Sequence, residues 1–141
     1  MENTVFSPIT LVDFNNPAIY SRFCKICNDV AVENEIENFV PRLLRQIEEK
    51  SSAAYMNHDG FVVLKPVFYN DELTMLIQMA YCVSGDGYKK YINFIEGIAE
   101  YVQCKAIMFY GFRLGFIRLA KKLGYSRIPY DGPQMGWRKA I

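Results

Sequence analysis

Residues 73–103 decide the fold, and they read LTMLIQMAYC, then VSGDG, then YKKYINFIEGIAEYVQ. The first piece is an apolar run of strand length, the second is a glycine turn, and the third places its apolar residues at helical spacing. Another short apolar run, KAIMFYGF, follows at 105–112. A strand, a crossover helix and a second strand in this order predict a right-handed unit with two parallel strands.

The glycine turn is the predicted binding site of this unit. A turn that leads from a strand into a helix leaves backbone N–H groups unpaired at the positive end of the helix dipole. Anions bind at such helix starts, and ligands of open sheets bind beyond the carboxyl ends of the strands. We therefore expect whatever this protein binds to lie beside the turn.

Two helices are predicted near the start of the chain, after a weakly alternating first strand from Val5 to Val12. Apolar residues recur at three and four from Ala18, which predicts a helix that ends before Glu35. Pro41 suits the first position of a second, short helix, because proline lacks the N–H that is unpaired there anyway.

Three antiparallel strands are predicted between the second helix and the glycine turn. Asp59-Gly60 and Asn70-Asp71 separate the apolar runs, and Asp-Gly is a strong hairpin signal because glycine accepts a positive φ. Pro66 interrupts the middle strand and removes a hydrogen-bond donor, which predicts a bend or bulge at that position.

A last helix is predicted from about Phe116 to Leu123, ended by Gly124. Tyr125 to Ile128 can return as a strand, and 129–141 is expected to be a C-terminal tail or a short hairpin. With 141 residues the chain has the size of one ordinary domain, so we expect a single domain over 1–141.

Charge and composition exclude several classes of function. Sixteen Lys and Arg against fifteen Asp and Glu argue against a general nucleic-acid binder, which needs a basic face. No apolar run is long enough to span a bilayer, and the first residues do not resemble a signal peptide, so we expect no membrane and a cytoplasmic protein. Cys24 and Cys27 have no second C-x-x-C pair to complete a zinc site, so no metal is expected and the four cysteines are interpreted as reduced core residues.

The predicted order, β-α-α-β-β-β-α-β-α-β with a central mixed sheet flanked by helices, resembles the GNAT superfamily of acetyl-CoA-dependent N-acyltransferases over nearly the whole chain. Two motifs carry the resemblance. The cofactor loop of the family ends in Gly-x-Gly or Gly-x-Ala, and CVSGDG at 82–87 keeps both glycines. The late segment of the family resembles RLGFIRLAKKLGY at 113–125, which keeps the Lys-Leu-Gly-aromatic end.

The resemblance implies an acetyl-CoA site and an amine acceptor. It assigns the diphosphate to the loop and the helix start, namely Val83, Ser84, Gly85, Asp86, Gly87 and Tyr88. The pantetheine arm would lie between the splayed carboxyl ends of Leu73–Tyr81 and Ala106–Tyr110. Tyr81 and Tyr110 are the remaining candidates for acid and base chemistry, with a role as ordinary core aromatics as the alternative.

The chain also departs from the family pattern. Cys82 stands where the family has Arg or Gln, Asp86 places a carboxylate beside the expected diphosphate, and Arg113 replaces the usual asparagine. Ala120 occupies the position at which many members carry the tyrosine that protonates the departing thiolate.

Two functions remain open on the sequence alone. In the first, the protein is an N-acetyltransferase with degenerate cofactor and acid/base motifs. In the second, which a resemblance to the degenerate GNAT-like domains of bacteriophages implies, it is a non-catalytic phage protein, such as an internal virion protein. In that case its partners are virion proteins or a second copy, it lies in the host cytoplasm or the virion, and Trp137 in the tail is available to a partner.

Overall fold

The computed structural model describes residues 8–33, 35–83, 87–111, 118, 120–129 and 135–141. Its elements, in chain order, are β1 Thr10–Leu11, α1 Pro17–Glu33, α2 Phe39–Glu48, β2 Ala53–Asn57, β3 Gly60–Tyr69, β4 Glu72–Cys82, α3 Gly87–Val102, β5 Ala106–Gly111, β6 Ser126–Ile128 and β7 Met135–Ala140. Residues 118 and 120–122 between β5 and β6 are also helical.

The strands form one mixed sheet in the order β1-β2-β3-β4-β5-β7-β6. β4 and β5 pair in parallel across the crossover helix α3, and the other neighbouring pairs are antiparallel. The predicted fold class and element order are therefore confirmed. β7 adds a strand to that order, and it lies between β5 and β6 instead of at the edge of the sheet.

The helix boundaries near the start of the chain agree with the expected ones, apart from the position of Pro41. α1 ends at Glu33 as predicted, but α2 begins at Phe39, so Pro41 is its third residue and not its first. The position is tolerated because the first four N–H groups of a helix have no partner within it. Of the strand expected from Val5 to Val12, Thr10–Leu11 is a strand, and its first residues lie outside the described part.

Each face of the sheet carries its own hydrophobic core. One core lies between α1, α2 and the sheet and includes Phe23, Leu43 and Phe61, which are at most 1% exposed. The other core lies beneath α3 and includes Val62, Ile107 and Trp137. Trp137 is 3% exposed in the middle of β7, so the expectation that this ring is available to a partner is wrong.

The ladder has no bulge at Pro66, so a bulge at that position, one of the two predicted outcomes, is wrong. Pro66 pairs regularly with Met75, and the irregularity of this ladder lies between Val63 and Leu64. β2 pairs with β3 only as far as Leu64, so β3 is an edge strand at Pro66, where a missing N–H is tolerated. The extra residue of the bulge is on the other strand: Met79 pairs with Val63 and Ile77 with Leu64, which leaves Gln78 without a partner in the ladder.

The helices end in a repeated hydrogen-bond pattern that favours glycine. After the last helix, Gly124 has a φ of 87° and donates its N–H to Lys121, while Tyr125 donates to Ala120. This pattern is the Schellman motif, and it confirms Gly124 as the residue that ends the helix. α3 ends in the same way, but Gln103, with a φ of 69°, takes the place of glycine.

Gln103→Gly is expected to raise the free energy of unfolding by about 0.5–1 kcal/mol, because glycine adopts a positive φ without a steric penalty. Urea denaturation measures this change. Gln103→Ala is the matched control, since it removes the same side chain and keeps the Cβ. Equal stability of the two variants would contradict the assignment of strain to the backbone of Gln103.

Among the described residues, no helix has both the length and the apolar character that crossing a bilayer requires.

Candidate active site

The parallel strands β4 and β5 separate at their carboxyl ends. They pair from Thr74 with Ala106 to Ile77 with Phe109, and their register ends there. Beyond this point Met79 to Cys82 continue to pair with β3, and Tyr110 with Gly136 of β7. Among the described residues, no strand pairs with Met79–Cys82 on the side of β4 that faces β5, so the backbone of this segment faces the gap.

A cleft of about 390 Å³ occupies the gap between the two strands. It opens towards both faces of the sheet, because its walls include residues of α1 on one face and of α3 on the other. Its lining comprises Lys25, Ile26, Asp29, Val30, Glu33, Ile36, Ile77, Gln78, Met79, Ala80, Tyr81, Cys82, Tyr91, Ile92, Ile95, Phe109, Tyr110, Ala120, Leu123 and Tyr125. The size and the largely apolar walls are those of a small-molecule site.

The bulge at Gln78 decides which residues of β4 face which core. Before it, Met75 and Ile77 pack under α3; after it, Ala80 and Cys82 do so. Met79 and Tyr81 pack on the opposite side, against the core of α1 and α2. One extra residue reverses the alternation of a strand, so the bulge turns Tyr81 towards α1.

Both tyrosines proposed from the sequence line the cleft. Tyr81 and Tyr110 are partly exposed, at the separating ends of β4 and β5. The structure brings them to one cavity, as the parallel arrangement of the strands predicts. It also places Tyr91 and Tyr125 in the lining, two tyrosines that the sequence analysis did not select.

Of the proposed diphosphate-binding residues, Val83 and the backbone of Gly87 are described. Val83 is 66% exposed, and its N–H donates to the carbonyl oxygen of Asp59 at 2.7 Å. Gly87 is the first residue of α3, so the positive end of this helix begins at the end of the turn. Ser84, Gly85 and Asp86 and the side chain of Tyr88 lie outside the described residues.

A buried polar cluster supports the start of α3 from below. The Tyr91 hydroxyl lies 2.8 Å from Asn57 Oδ1 and 2.7 Å from the carbonyl oxygen of Gly60, and it accepts the N–H of Asn57 at 3.2 Å. Asn57 Oδ1 also accepts the N–H groups of Asp59 at 2.9 Å and Gly60 at 3.2 Å. These contacts join the first turns of α3 to the β2–β3 hairpin, and so fix the helix start relative to the sheet.

The two additional tyrosines of the cleft remain protonated at neutral pH. Burial raises the pKa of Tyr91, and burial followed by the charge of Glu96 raises the pKa of Tyr125. A raised pKa disfavours the phenolate, so neither group is a base at neutral pH, and both present a neutral hydroxyl.

Cys82 lines the cleft at the end of β4, and burial followed by the charge of Asp59 raises the pKa of its thiol from 9.0 to about 12. At a pH between 9.0 and about 12, the Cys82 thiol is deprotonated in the unfolded chain and still protonated in the folded chain. The stabilisation from the half-buried neutral thiol is therefore complete below about pH 9 and is lost as the pH rises towards 12.

When the pH is raised from about 8 to about 10, the free energy of unfolding is expected to fall by roughly 1 kcal/mol more in the parent protein than in Cys82→Ala. Urea denaturation of both proteins at the two pH values measures the difference, and comparing the same pair cancels the contributions of other titrating groups. Identical pH dependence in the two proteins would show that Cys82 titrates alike in the folded and unfolded states.

Solved acetyltransferase structures share this architecture. A GNAT family acetyltransferase from Listeria monocytogenes 4b F2365 superposes with a TM-score of 0.74 at 9% identity, over 99% of this chain and 100% of the other. The chain has the GNAT fold. An acetyltransferase from Thermus thermophilus gives a TM-score of 0.69 at 13% identity, over 97% and 98% of the two chains. Aminoglycoside 6′-N-acetyltransferase complexed with coenzyme A gives 0.67 at 15% identity, over 94% and 96%.

The sequence matches no protein-family model and no curated protein. At 9–15% identity the similarity to these GNAT structures lies in the backbone. Ala120, which stands where many GNAT members are expected to carry a tyrosine, is 1% exposed and lines the cleft. This position therefore lies beside the cavity, but alanine supplies no hydroxyl group there.

Proposed function

We propose that this protein is an N-acyltransferase that uses acetyl-CoA. The observation that carries the proposal is the separation of β4 from β5 immediately after the pair of Ile77 and Phe109, which opens a cleft through the sheet beside the start of α3. Such a gap suits a long, narrow ligand with amide groups along its length and a charged group at one end.

Two described features suit coenzyme A, namely the edge of β4 at Met79–Cys82 and the start of α3 at Gly87. The free edge of β4 from Met79 to Cys82 offers backbone groups to the amides of the pantetheine arm, in the manner of an added strand. The helix start at Gly87, with Ser84 to Asp86 before it and Tyr88 after it, would hold the diphosphate through N–H groups, whereas the N–H of Val83 already donates to the carbonyl oxygen of Asp59. When bound, acetyl-CoA supplies an acyl group in an activated thioester.

The remaining roles belong to side chains of the cleft. Tyr81 and Tyr110 line the cleft and are proposed to exchange protons with the acceptor amine and the leaving thiol, directly or through water. Ile26, Val30 and Met79 give the α1 side of the cleft apolar contacts, and Lys25, Asp29 and Glu33 of the same helix add charged groups. Holding the two reactants together supplies much of the rate in such transfers.

The acceptor is proposed to be an amine that enters from the α1 side. Among similar structures, one is named for an aminoglycoside acceptor, and the NatC complex was solved with Gag peptide and CoA. The protein is proposed to act in the cytoplasm.

Calorimetric titration with acetyl-CoA tests the proposal. Micromolar binding is expected, followed by acetylation of one or more members of an amine panel detected by mass spectrometry. No heat and no thermal shift at millimolar acetyl-CoA would contradict it and would favour the phage structural role expected as the alternative.

A further inference from the structure

We propose that Gln46, Ser52 and Gln78 are positioning residues that hold the bulge of β4 and so keep the carboxyl half of this strand turned away from β5. The structural part of the inference stands on the contacts of these three side chains. Its relevance to catalysis rests on the proposed function.

The bulge lies where the cleft begins. Ile77 is the last residue of β4 that pairs with β5, Gln78 is the bulged residue, and Met79 pairs with β3 and with no other strand in the described part of the chain. A bulge interrupts the ladder and leaves one residue unpaired. A conformation in which β4 pairs with β3 without a bulge is therefore a competing alternative. In that regular register every later side chain of β4 would change face, and Tyr81 would turn from α1 towards α3.

The side chain of Gln78 has both of its polar atoms engaged. Its Nε2 donates to Gln46 Oε1 at 2.7 Å, and its Oε1 accepts from Ser52 Oγ at 2.5 Å. Ser52 is 5% exposed, and its Oγ also lies 3.4 Å from Gln46 Oε1. In a regular ladder Gln78 would keep its face but take the place of Met79 opposite Val63, and this displacement would stretch the hydrogen bonds of the closed network.

The network is anchored at the end of α2. The carbonyl oxygen of Gln46 accepts the N–H groups of Ser51 at 3.0 Å and Ser52 at 3.2 Å, and the Ser51 hydroxyl at 3.1 Å. Gln46 and Ser52 are therefore held by the same turn before they contact Gln78. Since Gln78 also lines the cleft, the turn after α2 is connected to the cleft by one layer of hydrogen bonds.

Hydrogen exchange tests the structural part without any ligand. In Gln78→Leu and Ser52→Ala, exchange at Met79–Cys82 is expected to become about tenfold faster, while exchange at Thr74–Ile77 stays unchanged. Thr74→Val is the matched control: Thr74 is buried on the same strand before the bulge, and its hydroxyl donates to the carbonyl oxygen of Glu72 at 3.1 Å. Equal exchange at Met79–Cys82 in the three variants would overturn the inference.

Acetyl-CoA affinity tests what the network is for. Gln78→Leu and Ser52→Ala are expected to bind about tenfold more weakly than the parent, and Thr74→Val to bind as the parent does. Gln78→Glu is expected to keep the hydrogen exchange at Met79–Cys82 and the acetyl-CoA affinity of the parent. Its carboxylate accepts hydrogen bonds from the Ser52 hydroxyl and from the Gln46 amide once that amide rotates. Parent-like affinity in Gln78→Leu would overturn the positioning role. A parent protein that binds no acetyl-CoA while Gln78→Leu exchanges faster would overturn the proposed function alone and support the structural inference.

Discussion

Gly60→Ala is expected to lower the free energy of unfolding by about 3 kcal/mol or more. A Cβ at this position would lie 1.8 Å from the carbonyl oxygen of Tyr81 and 2.9 Å from its carbonyl carbon. These are backbone atoms of the neighbouring strand, so no side-chain rotation relieves the overlap. The variant must move the end of β4 away from β3, which also disturbs the cleft.

Thermal and urea denaturation measure this loss, which corresponds to a fall of roughly 10 °C in Tm for a domain of this size. Gly97→Ala is the matched control, because a Cβ there meets nothing within 4 Å and alanine favours the helix α3. We expect the control to be stabilised by about 0.5–1 kcal/mol.

A second substitution separates close approach from backbone conformation as the reason for glycine at position 60. Asparagine tolerates a positive φ better than alanine does, so a purely conformational requirement would make Gly60→Asn mild. Because any Cβ at position 60 overlaps the carbonyl group of Tyr81, Gly60→Asn is expected to lower the free energy of unfolding as much as Gly60→Ala does. A stable Gly60→Asn variant would contradict this account.

Gly87→Glu is expected to weaken acetyl-CoA binding by about 100-fold while leaving the fold intact. Gly87 is the first residue of α3, where a carboxylate stabilises a helix through its dipole. The same carboxylate would stand beside the proposed diphosphate position, and like charges in such a place cost several kcal/mol. Calorimetry with acetyl-CoA measures the loss, and a thermal scan confirms folding.

Two controls isolate the charge in this experiment. Gly87→Gln has nearly the same shape without the charge and is expected to lose much less affinity than Gly87→Glu. S-acetylpantetheine lacks the diphosphate, so its binding should be the same in both variants. Equal losses for the two substitutions, or equal losses for the two ligands, would place the diphosphate elsewhere.

The Asp59-Gly60 hairpin shows how a correct prediction can rest on an incomplete reason. The sequence predicted the turn and its position, and β2 and β3 do meet there through the pair of Asn57 and Gly60. However, Gly60 is the first residue of β3, it is not among the residues of positive φ, and its requirement comes from Tyr81, 21 residues further along the chain. Asn70-Asp71, in contrast, does adopt positive φ at both residues, as a tight two-residue turn requires.

The cleft was predictable in position and not in shape. Parallel strands joined by a helix place their carboxyl ends together, so Tyr81 and Tyr110 could be assigned to one site from the sequence. The bulge that orients Tyr81 has a weak local signal, a single glutamine in the apolar run LIQMAYC. Its position depends on Gln46 and Ser52, which no local pattern connects to Gln78.

β7 shows the same limit at the end of the chain. The two glycines and Pro133 of 129–141 predicted a tail or a short hairpin, and this stretch contains MGWRKA at 135–140. In the structure it pairs with β5 along its whole length and with β6 on its other side. Its pairs with β5 join residues about 30 positions apart, and pairing over such separations is chosen by the complete sheet.

The sequence by itself determined the order of the elements, the parallel pairing across α3 and the helix end at Gly124, because periodicity and turn chemistry act over a few residues. Only the tertiary structure decided the bulge at Gln78, the place of β7 and the reason for glycine at position 60. Each of these depends on atoms brought together from distant parts of the chain, whose contacts exist only once the sheet has formed.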